Sequence, residues 1–284
     1  MKMADRAPSR AQSDRSGARQ QADLDETKDR QFVTALARGL SILRCFDADH
    51  TELGSVELAK MTGLPQSTVW RLCYTLVQCG FLVPCEKNDK LQIGTAVLSL
   101  GYGALSMLGF DDNLRREMRA VAVDFDAAVS IASPDQDDMI IVQRARGNGV
   151  LLVNLSVGSR LPIVRSSFGW GYLAMLPEEQ RAQTLARLIP ADHPDKAFLE
   201  DNIRKAVEDY QRHGYIINSG VFHKNINAIA IPFMDPQSSK VHVINCGAPA
   251  QVLSVKTMRD SVAPRLRELV SVARLSQAAK LASD

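Results

Sequence analysis

Apolar residues in the first third of the chain recur at helical spacing. Between Phe32 and Phe46 they follow the three- and four-residue steps of one helix face, which predicts a first helix. A second, short helix is expected over Val56–Met61, with Ser55 as its N-terminal cap. Gly63 follows directly and suits the left-handed turn that ends such a helix. The pattern therefore predicts two helices joined to a third by a sharp glycine turn.

The third helix, predicted over Pro65–Cys79, has one apolar and one polar face. Five apolar residues form a single stripe at helical spacing: Val69, Leu72, Cys73, Leu76 and Val77. The opposite face carries polar and aromatic residues crowded toward the N-terminal half: Gln66, Ser67, Thr68, Trp70, Arg71 and Tyr74. A recognition helix in a DNA major groove needs this arrangement, because its early residues reach base edges and phosphates.

A hairpin is predicted after the third helix. Two short apolar runs, 81–84 and 91–93, flank a polar turn with Asn88 and Asp89 at the bend and Lys87 and Lys90 at the tip. Helix, helix, turn, helix and hairpin in this order predict a winged helix-turn-helix that binds DNA. Residues 31–94 hold six basic and six acidic side chains, so a winged helix that binds another protein is the alternative.

The remaining two thirds predict an α+β domain built on one antiparallel sheet. A helix over Gly94–Leu108 is suited to link two domains and to form a dimer, and a second follows over Asn113–Asp126. Strand-like apolar runs occupy Val129–Ala132, Met139–Gln143, Val150–Leu155, Tyr215–Asn218, Ile226–Phe233 and Val241–Cys246. Helices are expected over Gly169–Met175, Glu178–Leu188, Leu199–His213 and Val255–Leu281.

One segment of this domain suits a small anion. At 165–169, a loop opens a helix, and the free N–H groups and helix dipole at such a start favour a carboxylate. Phe168, Trp170 and Phe222 make the neighbourhood aromatic, which favours a planar or aromatic organic acid; core packing is the alternative role for Trp170 and Phe222.

Composition and absent motifs narrow the function classes. A chain of 284 residues suits two domains. It shows no membrane span and no secretory signal, so we expect a cytoplasmic protein with no membrane partner. Five cysteines lack metal-ligand spacing, and there is no nucleophile elbow, phosphate loop, dinucleotide fingerprint or zinc-protease motif. We therefore expect no enzyme, cofactor or metal; the polar cluster 192–195 is interpreted as a turn.

Several blocks of sequence, in order, carry a family resemblance. They read ALARGLSILRCF, ELAKMTGLPQSTVWRLCYTLVQCGFL and KLQIGTAVLSLG, then VGSRLPIVRSSFGWGYLAMLPEE, GYIINSGVFHKNINAIAIPFMD, GAPAQVL and SVAPRLRELVSVAR. The chain resembles the isocitrate-lyase-regulator (IclR) family of transcription factors over about residues 32–275. The resemblance implies a DNA-binding domain, a linker helix and an effector domain of GAF/PAS-like fold, in dimers or tetramers.

The resemblance also implies functional residues. On the DNA side they are Arg38, Ser55, Gln66, Ser67, Thr68, Arg71, Lys87 and Asn88. On the effector side they are Val150, Val153, Asn218, Ala228, Asn245 and Gly247, together with the helix start at Ser167, Phe168, Gly169 and Trp170. The chain departs from the family where Gln66 replaces a common Lys or Arg, Asn218 a common acid and Trp170 a usual Lys.

These observations together predict a two-domain regulator. The expected divisions are a disordered basic tail at 1–30, a DNA-binding domain at 31–94, a linker helix at 95–110 and an effector domain at 111–284. The partners are a double-stranded DNA operator, a small organic acid and further copies of the chain. Repression relieved by the ligand is expected before activation.

Overall fold

The computed structural model describes residues 31–47, 49–149, 153–236 and 238–281. The chain divides between Ala104 and Leu105 into two compact units. The predicted tail at 1–30 and the candidate effector residue Val150 lie outside the described residues. Within the described part, no helix is long and apolar enough to cross a membrane.

The first unit is a winged helix-turn-helix. Its elements are α1 (Thr34–Leu43), α2 (Ser55–Thr62), α3 (Gln66–Gln78), β1 (Leu82–Pro84) and β2 (Leu91–Ile93), and α4 (Ala96–Met107) begins in it. The two strands pair antiparallel, and Leu53 adds an isolated bridge to Leu91. The core includes residues from one face of α1, α2 and α3, from the turn before α3 and from the first strand: Ile42, Leu58, Leu64, Val69, Cys73 and Leu82. The predicted fold of this unit is confirmed.

The start of α2 differs in detail from the prediction. Gly54, not Ser55, is the N-cap, and Ser55 is the first helical residue. The Glu57 carboxylate accepts a hydrogen bond of 2.7 Å from the Gly54 N–H. A glycine N-cap has no side chain to offer, so the reciprocal carboxylate fixes the helix start. Gly63 ends the helix with a left-handed φ of 69°, as predicted.

The second unit is an α+β layer structure, again as predicted. A six-stranded antiparallel sheet has the order β5-β4-β3-β8-β7-β6. Its strands are β3 (Ala128–Asp135), β4 (Asp138–Arg146), β5 (Arg160–Pro162), β6 (Ile216–Ser219), β7 (Ile226–Met234) and β8 (Val241–Pro249). The helices are α5 (Asp112–Asp124), α6 (Ser167–Met175), α7 (Glu178–Leu188), α8 (Lys196–His213), α9 (Val255–Thr257) and α10 (Ala263–Leu281), with a π-helical turn (Met258–Val262) before the last.

Each face of the sheet has its own hydrophobic core. On one face, α5 and α10 pack on alternate strand residues such as Ile131, Ile229 and Ile244. On the other, α6 and α8 pack on Ile141 and Val243. Two-sided burial explains why the central strands are almost continuously apolar.

One predicted strand is wrong. Residues 153–155 are not in a strand, although the run that includes them is apolar, and the edge strand is instead Arg160–Pro162. Leu155 packs against the core from a loop, and its carbonyl accepts a hydrogen bond of 2.6 Å from Arg146. The hydrophobicity of this run therefore reflects packing and not strand pairing.

A β-bulge on β4 changes which side chains face α6. Ile131 pairs with Gln143 while Ala132 pairs with Ile141, so Val142 is the extra residue. Past the bulge, Arg144 lies on the same face of the sheet as Ile141. In a regular strand, residues three apart lie on opposite faces.

Candidate DNA-binding face and ligand cavity

The outer face of α3 presents a row of exposed side chains. Ser67, Trp70, Arg71 and Tyr74 are all exposed on it, while Val69 and Cys73 are buried beneath. The Arg71 guanidinium makes no hydrogen bond or ion pair with any described residue. An arginine held on a helix face with five unused donors can fork onto a guanine or a phosphate.

Two exposed aromatic residues belong to the same face. Trp70 and Tyr74 are one turn apart, and their rings stack with centroids 5.9 Å apart and planes inclined by 18°. They are 62% and 56% exposed. The predicted DNA-binding residues include neither of them. The helical spacing that places both on the same face as Ser67 and Arg71 could have identified them. Aromatic and aliphatic side chains in a major groove contact thymine methyl groups.

The remaining DNA-side candidates differ in how free they are. Ser67 and Lys87 are exposed, whereas Thr68, Ser55 and Arg38 are half-buried. The Gln66 amide lies 3.5 Å from the Ser55 hydroxyl, a contact at the limit of a hydrogen bond.

The wing is tied to the rest of the unit through its polar turn. The Asn88 amide donates a hydrogen bond of 3.1 Å to Glu52, and its carbonyl oxygen accepts one from the Lys90 N–H. Lys90 forms an ion pair of 3.1 Å with Glu57, so of the two tip lysines only Lys87 projects unpaired within the described structure. The Gly54 N–H and Lys90 lower the pKa of Glu57, so its carboxylate stays charged to a lower pH than that of an ordinary glutamate.

The second unit contains a cavity of about 60 Å³ between the sheet and the start of α6. Seven of the predicted effector residues line it: Val153, Ser167, Phe168, Asn218, Ala228, Asn245 and Gly247. The cavity also contacts Ser166 of the predicted helix start and Phe222 of the predicted aromatic neighbourhood, together with residues that the prediction omitted, among them Ala128, Arg144, Leu155, Leu161 and Ile226. A space of this size holds a few water molecules or a carboxylate group.

The cavity floor is made of two neighbouring rows of side chains across the sheet. The first row runs through Arg144, Ser130 and Asn245, which are directly paired. The second runs through Ala128, Gly247, Ala228 and Asn218, again in register. Small residues in the second row leave the space that the cavity occupies.

The start of α6 supplies backbone donors to the cavity wall. Ser166 is the N-cap, and its hydroxyl accepts a hydrogen bond of 3.0 Å from the Gly169 N–H. The N–H groups of Ser167 and Phe168 have no hydrogen-bond partner among the described residues. Unused N–H groups and the positive end of a helix dipole, as here, are features that favour a bound anion.

Two buried amides hold the helix start in place. Asn218 donates to the Arg165 carbonyl oxygen at 2.8 Å, and its own oxygen accepts from the N–H groups of Val221 and Phe222 at 3.2 Å each. Asn245 donates to the Ser167 hydroxyl at 3.2 Å.

Arg144 is the only ionisable residue among those that line the cavity in the described structure. One of its terminal nitrogens donates a hydrogen bond of 2.8 Å to Ser130, while its buried Nε has no partner among the described residues. Burial, followed by the charge of Arg146, lowers the pKa of Arg144 to about 10, so the side chain remains a cation at neutral pH. A partly desolvated cation without a carboxylate partner favours binding of an anion.

Gly169 and Trp170 shape the site without lining it. A Cβ on Gly169 would lie 2.1 Å from the Ile163 carbonyl oxygen, so only glycine lets α6 approach so closely. Trp170 is buried in the core, and its indole N–H donates a hydrogen bond of 3.0 Å to the Val164 carbonyl. Core packing, the alternative role considered for Trp170, describes its position.

The cysteines show no sign of a metal site. Cys45, Cys73 and Cys246 are buried, and burial raises the pKa of their thiols to about 11, 11 and 12. Among the described residues, no group of histidine, cysteine, aspartate and glutamate side chains is placed to hold a metal ion.

Comparison with known proteins identifies both units. Residues 35–84 match the IclR helix-turn-helix domain, and residues 103–273 match the bacterial transcriptional regulator IclR C-terminal domain. The chain is 28% identical over 241 residues to the HTH-type transcriptional regulator TsaQ1/TsaQ2 of Comamonas testosteroni, covering 84% of this chain and 86% of that one. Other relatives include the transcriptional repressor IclR of Escherichia coli and the p-hydroxybenzoate hydroxylase transcriptional activator of Acinetobacter baylyi.

Solved structures give the same assignment. An IclR family transcriptional regulator from Brucella abortus shares 34% identity and a TM-score of 0.74, covering 87% of this chain and 93% of that one. An IclR homolog from Microbacterium hydrocarbonoxydans, complexed with 4-hydroxybenzoate, shares the fold at 21% identity and a TM-score of 0.66, covering 88% and 100%. These relatives are transcriptional regulators and not enzymes. The chain belongs to the IclR family of transcriptional regulators.

Proposed function

We propose that this regulator binds a double-stranded operator through α3 and the wing, and that a small organic acid in the cavity of the second unit controls its affinity for DNA. Repression that the acid relieves is the mode we propose. An acid that binds one conformation of the regulator better than another shifts the population and hence the operator affinity.

The observation that carries the ligand half of this proposal is the single cation of the cavity. Arg144 faces a mostly apolar space beside the unused N–H groups of Ser167 and Phe168. A carboxylate would satisfy these donors, while Val153, Phe168 and Phe222 would contact its apolar body. The complex of a relative of the same fold with 4-hydroxybenzoate supports an aromatic acid as the ligand.

A homo-oligomer is proposed from the exposed apolar residues of α4. Within the described chain, this helix buries none of its twelve residues, and Leu98, Tyr102 and Met107 are each at least 70% exposed. Exposed apolar side chains concentrated on one helix are typical of an interaction surface, and a second copy would also supply the second recognition helix that a two-fold operator needs. Light scattering coupled to gel filtration measures the oligomeric state, and a monomer at micromolar concentration would contradict the proposal.

The DNA half is tested by selecting a binding site from random duplexes and measuring affinity for it at increasing salt. We expect log affinity to fall linearly with log salt concentration, because lysine and arginine contacts to phosphate release counterions. If no binding site is selected, or if the affinity does not change with salt concentration, the result would instead favour a winged helix that binds protein.

The ligand half is tested by adding benzoate and 4-hydroxybenzoate. We expect a higher melting temperature and a changed operator affinity for the wild type. Ser167→Leu, which fills the cavity wall, should lose both responses and keep unliganded operator binding. An intact response in this variant would show that the ligand binds elsewhere.

A further inference from the structure

A second, larger cleft adjoins the cavity in the same unit. It has a volume of about 450 Å³ and is lined by residues of α5, the end of β4 and the loop that follows: Arg115, Arg119, Gln143, Arg144, Ala145, Arg146, Leu155, Ser156 and Val157. Arg144 and Leu155 also line the cavity. The two spaces are therefore neighbours with one arginine between them.

The cleft exists because of the bulge and the short edge strand. Past the bulge at Val142, Arg144 and Arg146 face the cavity side of the sheet. Strand β5 pairs only with residues 138–140 of β4, so the end of β4 stays at the sheet edge. Helix α5 packs on the opposite face of the sheet, and its Arg115 and Arg119 are one turn apart on one side of the helix. The cleft therefore lies around the exposed edge of β4 and takes arginines from both sides of it.

The four arginines of the cleft have little negative charge to balance them. Arg115 pairs with Asp112 at 2.7 Å, and the Asp112 side chain is itself 90% exposed. Arg146 donates to the Leu155 carbonyl at 2.6 Å and to the Asn154 amide oxygen at 3.4 Å, both neutral groups. Arg119 makes no hydrogen bond or ion pair within the described part of the chain.

Several guanidinium groups around one concave surface, with little negative charge to balance them, attract an anion. The cavity beside it attracts a first anionic group to Arg144 and the start of α6. A molecule with an anionic group at each end satisfies both places, and the second contact is then intramolecular and gains from the high effective concentration.

We propose that the effector of this regulator is a dicarboxylic acid, with one carboxylate in the cavity and the other in the arginine cleft. This inference rests on the proposed function, because it takes the cavity as the effector site. It adds the chemical class of the effector, and it assigns Arg119 and Arg146 the role of recognising the second carboxylate.

The test compares acids that differ only in the second carboxylate. Binding of benzoate and terephthalate, and of hexanoate and adipate, is measured by calorimetry on the full-length wild type. We expect each dicarboxylate to bind at least about tenfold more tightly than its monocarboxylate partner, and the preference to shrink with salt because the cleft is open to solvent.

Variants of the cleft residues test which side chains cause the preference for dicarboxylates. Arg119→Ala combined with Arg146→Ala should abolish the preference for dicarboxylates and leave monocarboxylate affinity unchanged. Arg116→Ala is the matched control, since Arg116 lies on the same helix, outside the cleft, and among the described residues its side chain hydrogen-bonds only to Asn113, at 3.2 Å. Circular dichroism and the melting temperature establish that each variant is folded.

The outcomes separate this inference from the function on which it rests. Equal affinity for the two members of each pair, or a preference that survives in the double variant, would overturn the dicarboxylate inference. Monocarboxylate binding that still changes operator affinity would leave the proposed function standing in that case. If no acid of either kind binds, both are overturned.

Discussion

Asn245 on strand β8 donates a hydrogen bond of 3.2 Å to the hydroxyl of Ser167, the first residue of helix α6. Both side chains are buried. Together with the hydrogen bond from Asn218 to the Arg165 carbonyl, this contact fixes the helix start against the sheet. The unused N–H groups of α6 are thus held over the cavity by rigid elements, as a preorganised binding site requires.

The close approach of α6 to the sheet makes a sharp prediction for Gly169. In Gly169→Ala the new Cβ would meet the Ile163 backbone, whose Cα would be 2.2 Å away, so the helix start has to shift. We expect the free energy of unfolding of the second unit to fall by roughly 3 kcal/mol. Urea unfolding measures it.

The matched control is Gly39→Ala in α1, where a Cβ would meet nothing within 4 Å. Alanine there should be neutral or stabilising by about 0.5–1 kcal/mol, because it lowers the entropy of the unfolded chain. Equal effects of the two substitutions would contradict the close approach at Gly169.

Trp70 offers a direct spectroscopic report of DNA binding. The chain has two tryptophans, of which Trp70 is 62% exposed on α3 and Trp170 is 2% exposed. If α3 enters a groove, operator binding changes the environment of the exposed Trp70 directly. We expect a DNA-dependent change in tryptophan emission that disappears in Trp70→Phe. If the emission of the wild type does not change at saturating operator concentration, this face of α3 lies outside the interface.

His242 predicts a pH dependence of stability. Its ring is buried against Phe110 and Phe233, and its Nδ1 lies 2.8 Å from the Ser133 hydroxyl. Burial lowers the pKa of His242 to about 4, against a smaller opposing effect of Asp235 and a smaller lowering by Lys240. The unfolded chain takes up a proton near pH 6.5 that the folded chain does not accept until about pH 4.

The contribution of His242 is therefore complete above pH 6.5 and is lost as the pH falls toward 4, by about 3 kcal/mol in total. His242→Gln keeps a polar side chain without a titrating ring. We expect its free energy of unfolding, measured by urea at each pH, to depend less on pH across this range than that of the wild type. Parallel pH profiles would argue against a neutral buried ring.

Sequence periodicity was sufficient for the elements that pack through one face. The apolar stripe of α3 was predictable because its spacing along the sequence indicates which side of the helix is buried. The turn at Gly63 was predictable because the backbone conformation there depends on the glycine itself. The position of Arg144 was not predictable, since it depends on an extra residue at Val142 that only strand pairing reveals. The apolar residues Val153 and Leu155 led to the wrong strand for a related reason. Hydrophobicity indicates burial, whereas a strand also requires a neighbouring strand with which it can pair.

The central claim, that the outer face of α3 meets operator DNA, is tested most directly by measuring the operator affinity of Arg71→Ala. Arg212→Ala, at the end of α8 in the second unit, is the control. Because the Arg71 side chain has no partner within the described structure, its loss should leave the melting temperature unchanged and weaken operator binding by about 1–3 kcal/mol, with no change in the control. Wild-type affinity in Arg71→Ala would contradict the account.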